Sequence, residues 1–301
     1  MNDYLFMDVG QSGVRTRLGG TTLPELPGVH TNLPVVPQLA AAARAALTGR
    51  DARVIGLAVG STGLRGTSTA AELLGLVADL GITQVALAHD SVTSHLGALR
   101  GQRGAIVAAG TGCVAFAVGA TSVARVDGWG NIVSDAGSGF WIGRAGLEAV
   151  LRAHDGRSPA TALTPIVAQD FPNIEDAYLD IQNDPGYVKR VAAYCKIVAT
   201  LADSDAVCAA IVDQAAAQLA QSAIVALRRV GEDGAPSTIL SIQGKVFNCI
   251  RLRDRFEALV HDAIPGAVAV APQGDGLDGA SMLFDLPANS PLRARVSYAG
   301  V

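Results

Sequence analysis

The chain has 301 residues, half of them hydrophobic and 17% charged, with a formal net charge of −4. A chain this apolar and this weakly charged is not intrinsically disordered, and its 34 glycines follow no three-residue collagen period. The negative balance, without a basic patch, argues against a duplex nucleic-acid partner.

Residues 4–9 (YLFMDV) read as a strand, followed by the turn signal Gly10-Gln11-Ser12-Gly13 and a returning strand at 14–18. Four prolines mark 24–37 as an irregular connection, and 38–48 is Ala-rich and helical. A buried strand at 53–59 ends in Gly60-Ser61-Thr62-Gly63. A helix over 68–79, a strand over 84–88 and a short helix over 91–99 follow. The pattern then restarts: strand 104–109, the turn Gly110-Thr111-Gly112, and strands 113–119 and 122–127. A glycine-dense stretch, 128–143, leads into helices at 144–154, 158–170, 187–202 and 205–230. Strand 237–242, helix 246–262, strand 267–271 and helix 276–285 close the chain, with a loose tail beyond Pro287. Each half opens with a strand–Gly turn–strand unit and passes into α/β alternation. The expectation is two α/β lobes with a cleft between them, 1–103 and 104–285. The last helix, 276–285, is a candidate to pack back on the first lobe, and 286–301 is a tail.

Several groups of residues carry candidate chemistry. A Gly turn between strands exposes successive N–H groups that can hold an anion, and a carboxylate such as Asp8 can hold a hydrated divalent cation beside phosphates. An ordinary hairpin accounts for Gly10–Gly13 as well, but Gly110–Gly112 occupies the same place in the second half. Asp90 ends a strand and opens a helix, so it either projects as a functional carboxylate or caps the helix from Ser91. His89 could orient it, or serve only in packing. Gly128-Trp129-Gly130 and Asp135 combine a carboxylate, flexible backbone and an aromatic, the means by which proteins bind sugars; Phe140, Trp141 and Ile142 read equally as core. Gly244-Lys245 lies at a strand-to-helix turn. Gly274-x-Gly276-x-x-Gly279 matches a dinucleotide fingerprint, but only 22 residues follow it, too few for that unit. No Walker-type motif occurs. Cys113, Cys195, Cys208 and Cys249 have spacings that suit neither disulfides nor zinc. No apolar run reaches membrane length, and no leader pattern is seen at the N-terminus, so a soluble, cytoplasmic protein is expected, without a membrane partner.

Taken in order, Asp8-x-Gly10-Gln11-Ser12-Gly13, Asp90, Gly110-Thr111-Gly112, Gly128-Trp129-Gly130, Asp135-x-Gly137-Ser138-Gly139-Phe140-Trp141-Ile142-Gly143 and Gly244-x-Val246-Phe247-Asn248 resemble the N-acetylglucosamine kinase-like branch of the BadF/BadG/BcrA/BcrD ATPase family. The resemblance implies a two-lobed actin-like (ribonuclease H-like) α/β fold with an interlobe cleft. It implies an ATP-dependent kinase acting on an amino sugar, N-acetylglucosamine or glucosamine. By that resemblance Gly10, Gln11, Ser12, Gly13, Arg15, Gly110, Thr111 and Gly112 hold ATP phosphates, with Asp8 near Mg²⁺. Gly244 and Lys245 lie by the adenosine, and Asp90 is the catalytic base. Gly128, Trp129 and Asp135 contact the sugar, with Ser61 or Thr62 a looser match. A homodimer is one expectation. The family often has D-G-G-G-T where this chain has Asp8-Val9-Gly10-Gln11-Ser12, and D-E-G where it has Asp135-Ala136-Gly137. Two alternatives stand beside the kinase: a redox-type activator ATPase of the same superfamily, which needs cluster-binding cysteines, and a non-catalytic sugar- or nucleotide-binding regulator.

Overall fold

The apolar alternation of the first residues makes a strand with one buried face: in β1 (Asp3–Val9), Leu5, Met7 and Val9 are all buried. β2 (Val14–Leu18) returns antiparallel to it, with Asp8 opposite Arg15, and β3 (Thr21–Thr22) extends the hairpin. The computed structural model describes residues 3–300. It divides into two compact units, one formed by the chain up to Gly104 with Val118–Val123 and everything from Ala271 onward, the other by Ala105–Ala117 and Ala124–Val270.

In the first unit α1 (Val35–Leu47) begins three residues earlier than the Ala-rich run suggests. Pro37 falls in its first turn, where a missing N–H breaks no helical bond, so it does not delay the helix. β4 (Val54–Ser61) lies parallel to β1, α2 (Ala70–Val77) starts at the Thr69 cap, and β5 (Gln84–His89) lies parallel to β4 and leads directly into α3 (Asp90–Leu99). The register sets Val9 against Ser61 and Ser61 against His89. Three parallel strands therefore end level, and the residues that follow them, Gly10, Thr62 and Asp90, leave one edge of one sheet.

The second unit repeats the plan with β6 (Gly104–Ala109), β7 (Cys113–Val118) and β8 (Val123–Val126). Helices α4 (Gly139–His154), α5 (Thr164–Asp170), α6 (Ala177–Gln182), α7 (Tyr187–Leu201) and α8 (Ala206–Val230) follow, then β9 (Thr238–Gln243), α9 (Ile250–Ala263) and β10 (Ala267–Val270). α10 (Gly276–Ser281) and β11 (Val296–Ala299) belong to the first unit. The sheets run β11-β5-β4-β1-β2-β3 and β10-β9-β6-β7-β8. Without β11 the two orders are the same, and in each the two outer parallel strands stack beside the first strand of the hairpin.

Several sequence expectations change. The tail is not loose: β11 pairs antiparallel with β5, and the Tyr298 hydroxyl donates to the Leu283 carbonyl at 2.8 Å. The helix expected at 158–170 starts only at Thr164, because Pro165 fits the first turn of a helix and not its interior. The helix expected at 246–262 is split by extended Cys249 into a single 3₁₀ turn at 245–248 and α9. α4 begins at Gly139, five residues early, capped by the Ser138 hydroxyl on the Trp141 N–H. Its glycines serve packing: a Cβ on Gly143 would stand 2.0 Å from the Val191 carbonyl oxygen of α7. α8 is long and apolar enough to cross a membrane by length and composition. It instead lays Ile211, Ala215, Leu219, Ala223 and Leu227 into the core of the second unit.

Candidate active site

In the first unit the N–H of Gly10 donates to the Gly13 carbonyl at 2.9 Å and closes the β1–β2 turn. Gln11 and Ser12 are exposed at its tip. Asp8, one residue before the end of β1, has its side chain mostly buried and receives the Arg15 guanidinium from across the hairpin, with Nε at 3.1 Å. Arg15 also pairs with Asp275, the cap of α10. α10 approaches so closely that a Cβ on Gly276 would lie 2.7 Å from Asp8 Oδ1, and one on Gly279 would lie 1.8 Å from the Thr93 carbonyl oxygen of α3. The Gly-x-Gly-x-x-Gly run is thus a packing device. Burial raises the Asp8 carboxyl above its ordinary range, Arg15 opposes this, and Asp90 and Asp275 add to it. Two carboxylates, Asp8 and Asp275, thus hold one guanidinium, and a third, Asp90, lies near enough to Asp8 to raise its carboxyl. This surplus of hard oxygen donors suits a hydrated divalent cation.

Asp90 is the first residue of α3, and it does not cap that helix. The cap is His89, whose Nδ1 lies 3.3 Å from the Ser91 N–H. The Asp90 carboxylate is left partly exposed, 2.7 Å from the same ring nitrogen. Thr62 is partly buried. Ser61 is fully buried and its hydroxyl donates to the Thr62 carbonyl at 2.9 Å, so of the two expected residues Thr62 is the one left accessible.

In the second unit the Gly110 N–H donates to the Gly112 carbonyl at 2.9 Å, the counterpart of the first turn. The start of α4 docks on it: the Gly139 and Phe140 N–H groups donate to the Gly110 and Thr111 carbonyls at 2.8 and 3.0 Å. Thr111 is exposed, and a Cβ on Gly110 would meet nothing within 4 Å. Gly244 follows β9 and is exposed with Lys245. Its glycine identity has a backbone cause: at φ +96°, a Cβ would stand 2.2 Å from the Ala109 carbonyl oxygen.

The loop after β8 is organised by Asp127, a residue that the sequence suggested only as the end of a strand. Its carboxylate accepts the N–H groups of Gly128 (2.6 Å), Asp135 (3.0 Å) and Ala136 (3.0 Å), and the Ser134 hydroxyl. Both ends of the 127–136 loop are thereby pinned to one side chain. Asp127 has φ +61°, and the dipeptide Asp127-Gly128 is a turn signal that could have revealed it. Asp135 is buried, also left-handed at φ +55°, and accepts the Gly130 N–H at 3.1 Å. Burial raises its carboxyl, and Asp127 adds to this, while Gly130 and Arg125 oppose it. Asp135 Oδ2 would lie 2.7 Å from a Cβ on Gly112, so the carboxylate stands directly over the Gly turn. Trp129 is 62% exposed, with the Arg125 guanidinium 4.7 Å from its ring centre. Cys113, Asp127 and Asp135 bring ligand atoms within 4.8 Å of one another. Burial and the two carboxylates push the Cys113 thiol up, and it lies 3.3 Å from the Ala136 carbonyl oxygen. All four cysteines are free.

The chain is 26% identical, over 75% of its length and 76% of the relative's, to an N-acetylmuramic acid/N-acetylglucosamine kinase of Clostridium acetobutylicum. A 67-residue stretch, 22% of the chain and 21% of the relative, is 37% identical to the N-acetyl-D-glucosamine kinase of Dictyostelium discoideum. Among solved structures, one from Chromobacterium violaceum named for an N-acetylglucosamine kinase matches with a TM-score of 0.72 at 24% identity, covering 94% of this chain and 99% of its own. The ROK hexokinase of Thermus thermophilus matches with a TM-score of 0.52 at 14% identity, covering 93% and 98%. These likenesses show the fold: two α/β units of the actin-like, ribonuclease H-like kind. Residues 28–283 match the model of one family, and the chain belongs to the BadF/BadG/BcrA/BcrD ATPase family.

Proposed function

We propose that the protein is an ATP-dependent kinase of an amino sugar, with N-acetylglucosamine or glucosamine as acceptor. The observation that carries this is Asp90: a carboxylate at the level end of three parallel strands, one residue past the cap position that His89 occupies, and left partly exposed. Membership of an ATPase family supplies the nucleotide. The Clostridium acetobutylicum relative, which aligns over three quarters of the chain, supports an N-acetylated amino sugar as the acceptor class.

Phosphoryl transfer asks a protein mainly for positioning and charge stabilisation. Asp90 accepts the proton of the sugar hydroxyl as that oxygen bonds to the γ-phosphorus and the bond to ADP breaks. The exposed turns at Gly10–Gly13 and Gly110–Gly112 offer backbone N–H groups to phosphate oxygens. Gly244 and Lys245 lie beside the adenosine. Gly128, Trp129 and Asp135 take the sugar, the ring face on Trp129 and hydroxyls on Asp135, with Thr62 as a further contact. Mg²⁺, when bound, neutralises charge on the phosphates; Asp8 would hold it, with Asp275 and Asp90 adding negative charge. A cytoplasmic location and a homodimer complete the proposal.

The experiment is a panel of amino sugars offered with ATP and Mg²⁺, followed by ADP release and product mass. A sugar-dependent gain of one phosphoryl group is expected. ADP release that no sugar accelerates would refute the kinase assignment.

A further inference from the structure

The Asp90 carboxylate has a partner whose chemistry is unsettled by its other role. His89 Nδ1 lies 2.7 Å from Asp90 Oδ1, 3.0 Å from the Ser91 hydroxyl and 3.3 Å from the Ser91 N–H. One ring nitrogen cannot serve all three alike. An unprotonated Nδ1 is an acceptor that would cap the helix, but a carboxylate oxygen is also an acceptor, and two acceptors at 2.7 Å repel unless a hydrogen lies between them. The shorter contact decides: a proton lies between His89 and Asp90, and a protonated Nδ1 has no lone pair left for the Ser91 N–H at 3.3 Å. A general base must begin unprotonated, so that proton resides on Nδ1.

We propose that His89 is the positioning residue of Asp90: Nδ1–H holds one carboxylate oxygen and leaves the other to take the proton of the acceptor hydroxyl. This rests on the assignment of Asp90 as base. The ring is itself anchored, because Ser91 is buried and its hydroxyl lies on the same nitrogen. Both His89 and Asp90 keep part of their side chains exposed, so the fixed carboxylate remains open to a ligand. Without the ring, Asp90 can rotate about its terminal torsion, which is broad and two-fold for a carboxylate.

Three substitutions separate positioning from capping. His89→Ala removes both. His89→Asp keeps an acceptor for the Ser91 N–H but offers Asp90 no proton. His89→Asn keeps the acceptor and adds an N–H donor. Turnover, both KM values and melting are measured on these and on Asp90→Asn. The His89 ring nitrogens are followed by long-range ¹H–¹⁵N NMR, with the His89 signals identified by their loss in His89→Asn. Expected are a kcat loss of about 10–100-fold in His89→Ala and His89→Asp at unchanged KM for ATP, as misplacement of a reacting group produces. Wild-type melting in His89→Asp, recovery of most turnover in His89→Asn, and a protonated Nδ1 in the unsubstituted protein are also expected. Loss of turnover in Asp90→Asn with normal turnover in His89→Asp would overturn this inference alone, as would an Nδ1 without a proton. Normal turnover in Asp90→Asn would overturn the base assignment and the inference with it.

Discussion

Acid should loosen the helix that carries Asp90, and it should do so through a buried residue of that same helix. His95 lies on α3, five residues after Asp90, fully buried, with Nε2 3.3 Å from the Gly104 carbonyl oxygen. Burial lowers its pKa from 6.5 to about 4, and the Gly104 carbonyl works the other way. In the unfolded chain the imidazole takes its proton near 6.5; in the native fold it resists until about 4. The stability owed to the neutral ring is therefore complete above pH 6.5 and is lost as pH falls from 6.5 towards 4. A shift of about 2.5 units at about 1.36 kcal/mol per unit is about 3 kcal/mol, a large share of the roughly 5–15 kcal/mol typical of native proteins. Burial of Asp8 acts in the opposite sense: its raised carboxyl favours the native state as pH falls. A paired comparison cancels that contribution. Urea unfolding of the wild type and His95→Gln is measured at pH 7.5 and 4.5. Over that interval the wild type should lose about 2–3 kcal/mol more than the variant. Equal losses in both proteins would refute the assignment of the acid sensitivity to His95.

The two Gly turns and the sugar loop give sharper functional tests. Gly110→Val should fold normally, since its Cβ meets nothing within 4 Å, yet it should raise the calorimetric Kd for ATP about tenfold or more by blocking phosphate approach, a cost of about 1.4 kcal/mol or more; unchanged affinity would remove the turn from the nucleotide site. Asp135→Asn keeps the left-handed backbone that Asn tolerates and an acceptor for Gly130, but it loses the charge. It should raise the sugar KM about 10–100-fold, in line with the loss of a hydrogen bond to a charged group, with the ATP KM unmoved. Steady-state kinetics with each substrate varied in turn would reveal an equal effect on both, which would make Asp135 a structural residue.

The parts of the molecule legible in the sequence are those whose signals are local. The duplicated strand–Gly turn–strand units stand out because alternation and turn glycines lie within twenty residues, and the common strand order of the two sheets follows from them. Asp90 is visible as a strand-ending carboxylate. That His89 and not Asp90 occupies the cap position is not visible, because it depends on where the first helical turn begins. The Arg15–Asp275 pair joins residues 260 apart, and no local pattern announces it; the glycines beside Asp275 imitate a dinucleotide motif while spacing α10 against Asp8 and α3. Asp127 is hidden for a related reason: its partners at 134–136 return only when the loop closes. The tail lacks helical or long strand periodicity, and its four-residue strand forms only because β5 presents an edge.

Asp90→Asn is the most direct test of the kinase mechanism. The substitution preserves size and an acceptor oxygen for the His89 ring, but the amide cannot take a proton. With the best acceptor from the sugar panel, kcat should fall by about 10²–10⁴-fold, the usual contribution of a general base, while the Kd for ATP and the melting temperature stay near those of the wild type. Turnover close to wild type in a folded, ATP-binding Asp90→Asn protein would contradict the mechanism.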